Sequence, residues 1–122
     1  MLNFNSLLIF SEKPEPLAAF YKKVFDVKPA WEGDGYTSFE VGKGFITVGP
    51  HDQVHGKSKD AKRLMFNLET KEVQKEFERI KKIDGAKVIK EPEDPKENQE
   101  GSIATFEDPD GNYFQLVSPW ED

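Results

Sequence analysis

Cysteine is absent from the sequence, which excludes a disulfide framework, a thiolate metal site and a cysteine nucleophile. An excess of positive charge is missing too. Lysine and arginine number 17 against 23 acidic residues, a formal net charge of -6, whereas a general nucleic-acid surface needs cations to displace phosphate counterions. No nucleic-acid partner is therefore expected. No stretch approaches the roughly 20 consecutive apolar residues of a membrane span. The opening segment, Met1–Phe10, carries neither the basic flank nor the unbroken apolar run of a secretory signal. The expectation is a cytoplasmic protein with no membrane partner.

What remains is polar and aromatic. The 122 residues suit one compact domain, and 36% hydrophobic against 33% charged residues makes a globular but very polar chain. Phenylalanine supplies 10 residues, which predicts an aromatic core.

The pattern along the chain is strand, helix and a run of strands, written twice. Leu2 to Phe10 reads as a strand, apolar on both faces at its end and so expected to be central. Ser11 to Pro14 is a helix-start signature with Ser11 as cap, and Leu17, Phe20, Tyr21, Val24 and Phe25 recur at helical spacing until Asp26 and Pro29. Short strands follow at Trp31, Tyr36–Val41 and Phe45–Val48, separated by Gly33-Asp34-Gly35 and Gly42-Lys43-Gly44. Residues 50–60 form a polar linker between modules of about 1–49 and 61–118. The second module reads as a strand at Lys62–Glu69 and a helix at Lys71–Ile83, with Thr70 as cap and Gly85 beyond its end. Lys87–Lys90 is a further strand, Glu91–Glu100 a mobile loop, and Ser102–Glu107 and Asn112–Val117 a hairpin around Asp108-Pro109-Asp110-Gly111. Matching Phe20 with Phe77 as equivalent helix positions sets Ser6–Phe10 upon Arg63–Asn67, while Phe45–Val48 pairs with Tyr113–Leu116.

Alternation assigns the faces. Ile46, Val48, Leu64, Phe66, Leu68, Phe114 and Leu116 are expected to pack on the helices. Phe4, Ser6, Leu8, Phe45, Thr47, Arg63, Met65, Asn67, Tyr113, Gln115 and Val117 take the opposite face. That mixture of aromatic walls and a few polar groups suits a small-molecule cavity; the alternative is a second core with Arg63 extended to solvent at its edge.

Two segments resemble a known family. Leu17-Ala-Ala-Phe-Tyr-Lys-Lys-Val-Phe25 is similar to the helix after the first strand in the glyoxalase / bleomycin-resistance / extradiol-dioxygenase (vicinal oxygen chelate) superfamily. Phe106-Glu-Asp-Pro-Asp-Gly-Asn-Tyr-Phe-Gln-Leu-Val117 resembles its closing hairpin. The resemblance implies an α+β fold: two tandem βαβββ modules forming a curved mixed sheet around a central cleft. Its enzymes usually hold one divalent metal there, through His, Glu or Gln on the first and last strand of each module. Carried onto this chain, those columns fall at Ser6, Thr47, Arg63 and Gln115. Only Gln115 could be a ligand, where most members carry Glu; hydroxyls are poor ligands for Zn²⁺, Ni²⁺ or Fe²⁺, and a guanidinium offers no lone pair. The expectation is no metal and no other cofactor.

The two histidines, His51 and His55, are four apart, but they sit in the linker after Pro50 and read as solvated loop residues. With both histidines there, no Ser-His-Asp order is credible. Lys57, Lys59, Lys62 and Arg63 form a local basic cluster, either a solvated face or a lip that attracts an anion. Arg63 with Gln115 and Asn67 is the leading constellation, because a guanidinium in a partly apolar cleft wants a carboxylate or phosphate; Glu69 or Glu40 would be its internal alternatives. The candidate ligand-binding residues are thus Ser6, Phe45, Thr47, Arg63, Met65, Asn67, Tyr113 and Gln115. The leading expectation is a metal-independent, homodimeric small-molecule binding protein whose ligand is polar or anionic. The alternative is a glyoxalase-like lyase or isomerase, or a dioxygenase, with a divalent metal held by unconventional ligands such as Gln115, Glu69 or Glu40. A purely structural module is the third reading.

Overall fold

A computed structural model of the chain describes residues 1–92 and 102–119. In chain order the elements are β1 (Ser6–Ser11), α1 (Pro14–Phe25), β2 (Trp31–Gly33), β3 (Tyr36–Val41), β4 (Gly44–Pro50), β5 (Met65–Glu69), α2 (Val73–Ile80), β6 (Lys87–Lys90), β7 (Ile103–Glu107) and β8 (Tyr113–Val117). They fall into two compact units, Met1–Gly56 and Lys57–Asp122. Each is a helix and a four-stranded mixed sheet, ordered β1-β4-β3-β2 in the first and β5-β8-β7-β6 in the second. Most of the acidic excursion at 91–100 lies outside the described residues.

In the first module two tight turns build the antiparallel part. Asp34 and Gly35 both have positive φ, 52° and 84°, as the two-residue turn whose twist matches a hairpin requires. Gly42, at φ 60°, opens the turn that leads into β4. The first strand then adds in parallel, Ser6 beside Phe45 and Ile9 beside Val48, because the helix carries the chain back over the sheet. Leu17, Tyr21 and Val24 of α1 pack with Phe39, Ile46 and Val48 of the sheet, all buried. Each such large apolar side chain contributes roughly 1.5–3 kcal/mol.

The second module has an aromatic ladder as its core. Phe66 stacks on Phe114 at 5.7 Å, Phe114 on Phe106 at 5.5 Å, and Phe106 meets Phe77 of α2 at 5.3 Å. The hairpin between β7 and β8 is organised by one buried carboxylate. Asp108 is 2% exposed. Its Oδ1 accepts the backbone N–H groups of Asp110 (2.8 Å) and Asn112 (3.0 Å), and its Oδ2 accepts Asn112 Nδ2 at 3.0 Å. The Gly111 N–H donates to the Asp108 carbonyl at 3.0 Å, closing the turn. Gly111 has φ 83°, a left-handed conformation that favours glycine, and Lys57 and Ser58 lie in van der Waals reach of it. Ser58 N–H donates to the Asp110 carbonyl at 2.7 Å, so this turn also anchors the first residues of its module.

Several boundaries differ from the sequence reading, for identifiable reasons. The first strand begins at Ser6, not Leu2, and the fifth at Met65, not Lys62. Each is paired in parallel with a strand that itself starts right after a turn: Phe45 partners Ser6 and Tyr113 partners Met65. Upstream residues run out of a partner. Phe4 is consequently 82% exposed, and Leu64, expected in the core, is 81% exposed. The first strand is not central in its sheet either; the hairpins occupy the other side of β4, so β1 ends the sheet. Ser11 and Thr70 do not cap their helices directly. Each hydroxyl accepts the N–H two residues on, from Lys13 at 2.9 Å and Glu72 at 3.0 Å, and those residues are the caps. The second helix spans Val73–Ile80, shorter than the expected Lys71–Ile83.

The duplication survives with a different register. Ser6 and Met65, Ser11 and Thr70, Lys13 and Glu72, and the positive-φ residues Asp26 and Gly85 are all separated by the same interval. That interval makes Met65, not Arg63, the counterpart of Ser6, and Ala18, not Phe20, the counterpart of Phe77.

If Asp108 organises its hairpin, Asp108→Ala should lower unfolding free energy by about 2–4 kcal/mol, since two backbone donors lose a charged acceptor. Urea denaturation measures this; a loss below about 0.5 kcal/mol, the range of ordinary surface changes, contradicts it.

Candidate functional site

Alternation leaves one face of each sheet without a helix, and the ladders place its residues in rows. In the first module Leu8, Thr47, Ser38 and Trp31 form one row and Ser6, Phe45 and Glu40 the next. In the second, Asn67, Gln115, Thr105 and Lys90 correspond to the first of these, and Met65, Tyr113, Glu107 and Lys87 to the other. Of the eight candidate residues, Ser6, Phe45 and Thr47 share the first face, and Met65, Asn67, Tyr113 and Gln115 share the second. Arg63 does not join them.

The same device appears at the equivalent place in each row. Thr47 Oγ1 donates to Ser38 Oγ at 3.0 Å, and Gln115 Nε2 donates to Thr105 Oγ1 at 3.0 Å. Thr105 is 4% exposed, which makes it a rigid anchor. With its amide nitrogen engaged, Gln115 presents Oε1 as an acceptor. Met65 is 41% exposed beside Tyr113. Ser38 and Thr105 were not among the sequence candidates; the signal was present in the antiparallel register, which sets each directly opposite Thr47 or Gln115.

Arg63 lies before β5, in the turn where its N–H donates to the Asp60 carbonyl at 3.1 Å. Its guanidinium meets the Asp60 carboxylate at 3.4 Å with both side chains largely in solvent. Its partner is therefore neither Glu69 nor Glu40. The histidines also diverge. His51 sets its ring edge-on to Phe10 at 5.2 Å, and its Nδ1 accepts the Gln53 N–H at 3.1 Å. His55 Nδ1 lies 3.6 Å from the Glu12 carboxylate. The Gly56 N–H and then His55 lower the Glu12 pKa below the ordinary carboxylate value.

The metal columns implied by the resemblance, read in the observed register, are Ser6, Thr47, Met65 and Gln115. This set offers two hydroxyls, a thioether and an amide. Only the Gln115 amide oxygen is of the His, Glu or Gln type; a borderline divalent cation takes several imidazoles and carboxylates, which this set lacks. Among the described residues no three His, Asp or Glu side chains gather as a metal-holding group, and no helix is long and apolar enough to cross a membrane.

Solved structures share this architecture. A glyoxalase/bleomycin resistance protein/dioxygenase family enzyme from Burkholderia phytofirmans PsJN superposes with a TM-score of 0.73 at 21% identity, over 96% of this chain and 98% of that one. The hypothetical protein SA1046 from S. aureus gives 0.71 at 19% identity, over 98% and 94%. The fosfomycin resistance protein FosX from Listeria monocytogenes, solved with Mn(II) and a sulfate ion, gives 0.64 at 22% identity, over 98% and 90%. At these identities the likeness shows the fold. No curated protein sequence matches the chain. The profile described as Glyoxalase/Bleomycin resistance protein/Dioxygenase superfamily covers residues 3–116, and the chain belongs to that superfamily.

Proposed function

We propose that the chain binds a small polar or anionic molecule on the helix-free side of its strands, without a metal ion. One observation carries the reading: at the last-strand column of each module a polar side chain is held by a neighbouring hydroxyl, Thr47 by Ser38 and Gln115 by Thr105. Such groups are oriented to exchange hydrogen bonds with a ligand, and of the four only the Gln115 amide oxygen is a donor to a divalent metal, too few for a site. In the second module Met65 and Tyr113 supply apolar wall and Asn67 a second amide beside Gln115; in the first, Phe45 supplies the wall beside Ser6.

Arg63 keeps a part in this reading, though a different one. An exposed ion pair such as that with Asp60 is worth about 0–1 kcal/mol. An anionic ligand can therefore take over the guanidinium with two parallel hydrogen bonds. With Lys57, Lys59 and Lys62 nearby in sequence, Arg63 makes a local positive patch on an acidic chain.

Two measurements test the proposal. Protein purified without chelators should carry substoichiometric metal, and titration with Mn²⁺ or Zn²⁺ should give no saturable binding. Tight one-to-one uptake would favour instead a metal-dependent enzyme that recruits Glu40 or Glu69. For a carboxylate- or phosphate-bearing compound identified by thermal shift, Gln115→Leu and Arg63→Leu should each weaken binding about tenfold, the loss of one good polar contact. Arg63→Leu should leave stability within about 0.5 kcal/mol. Unchanged affinity in both variants contradicts the assignment.

A further inference from the structure

A groove of about 430 Å³ opens on the other side of the first sheet, against α1. Its lining includes Glu15, Ala18 and Lys22 of the helix, Glu32 of β2, and Thr37 and Phe39 of β3. The duplicated module explains why it is there. In the second module Phe77 stands at the place of Ala18 and lies against Phe106, the counterpart of Phe39, filling the space between helix and sheet. In the first module Phe39 is covered from the end of α1, by Phe25 at 5.5 Å. The second module has Asp84 at the place of Phe25. The methyl group of Ala18, itself only 8% exposed, forms the floor of the groove where Phe77 stands in the second module, while Phe39 stays fully covered.

The charges around this groove have no partners of their own. Glu15, Lys22 and Glu32 form no ion pair with any described residue. Two carboxylates and one ammonium thus border a space within the range of small-molecule sites, about 300–1,000 Å³. Its wall holds a small apolar residue, Ala18, and a hydroxyl, Thr37. An acid alone would meet two like charges, and an amine alone would leave Lys22 unmatched.

We propose that this groove binds a small zwitterion of amino-acid or dipeptide size. The ligand ammonium pairs with Glu15 and Glu32, its carboxylate with Lys22, and its side chain lies over Ala18. This site is distinct from the helix-free faces and does not depend on the function proposed for them.

The test is an NMR titration of the full ¹⁵N-labelled chain with glycyl-L-phenylalanine. Its uncharged analogue, N-acetylglycyl-L-phenylalaninamide, serves as control. The dipeptide should give saturable shifts at the amides of Ala19, Glu32, Gly35 and Thr37, and the analogue should bind at least tenfold more weakly. Ala18→Phe, which copies the second module, should remove the shifts. Lys22→Glu, a change at an exposed side chain that leaves the fold intact, should weaken binding at least tenfold and decides the matter if Ala18→Phe does not fold. Arg63→Leu should have no effect. No saturable shift up to about 10 mM, a concentration that detects millimolar affinity, overturns the proposal. So does equal binding of the analogue, or binding retained in folded Ala18→Phe or in Lys22→Glu.

Discussion

Parallel pairing between the first and last strand of each module is the constraint on which the rest of the structure depends. A strand added in parallel has no hairpin to set its register, so its helix must carry the chain across the sheet and bring it back in step. In both modules the ladder starts where a turn releases the last strand, at Phe45 after the Gly42 turn and at Tyr113 after the Asp108 turn. That starting point decides which residues of the first strand share the helix-free face. It selects Ser6 and Leu8 in one module, Met65 and Asn67 in the other, and leaves Arg63 outside.

The buried Asp108 links this constraint to the sequence. The Asp-Pro-Asp-Gly-Asn segment is the most recognisable part of the chain, and its role here is mechanical. One carboxylate satisfies the donors of a tight turn, Gly111 takes the positive φ, and Ser58 binds the outside of the turn. The turn in effect sets where β8 begins, and through it where β5 begins. The motif ends one residue before Tyr113 and three before Gln115, so placing the turn places those side chains.

Much of the fold was legible because it rests on local signals. Glycines and aspartates at positive φ marked the hairpins, alternation separated Ile46 and Val48 from Phe45 and Thr47, and the repeated order of elements exposed two modules. The misreadings have one physical source. Leu2, Phe4 and Leu64 have strand-like apolar character, but only a partner strand turns such a residue into part of a ladder, and that information is non-local. The helix match failed in a related way: Phe20 and Phe77 look alike, yet Phe77 occupies the position of Ala18, because equivalence follows the helix caps Lys13 and Glu72 and the positive-φ residues Asp26 and Gly85. At the candidate site Thr47 and Gln115 were readable from the closing strand. Their hydroxyl partners Ser38 and Thr105 required the cross-strand register.

The absence of native cysteine makes that register directly measurable. Partner Cα atoms in a ladder lie within disulfide reach, whereas a residue two positions further along is displaced by about 6–7 Å more along the strand. A chain with cysteines at 65 and 113 should oxidise to an intramolecular disulfide under mild conditions, and one with cysteines at 63 and 113 should stay reduced. Rapid closure of the second pair, with the first remaining open, would contradict the register and return Arg63 to the face that Met65 occupies here.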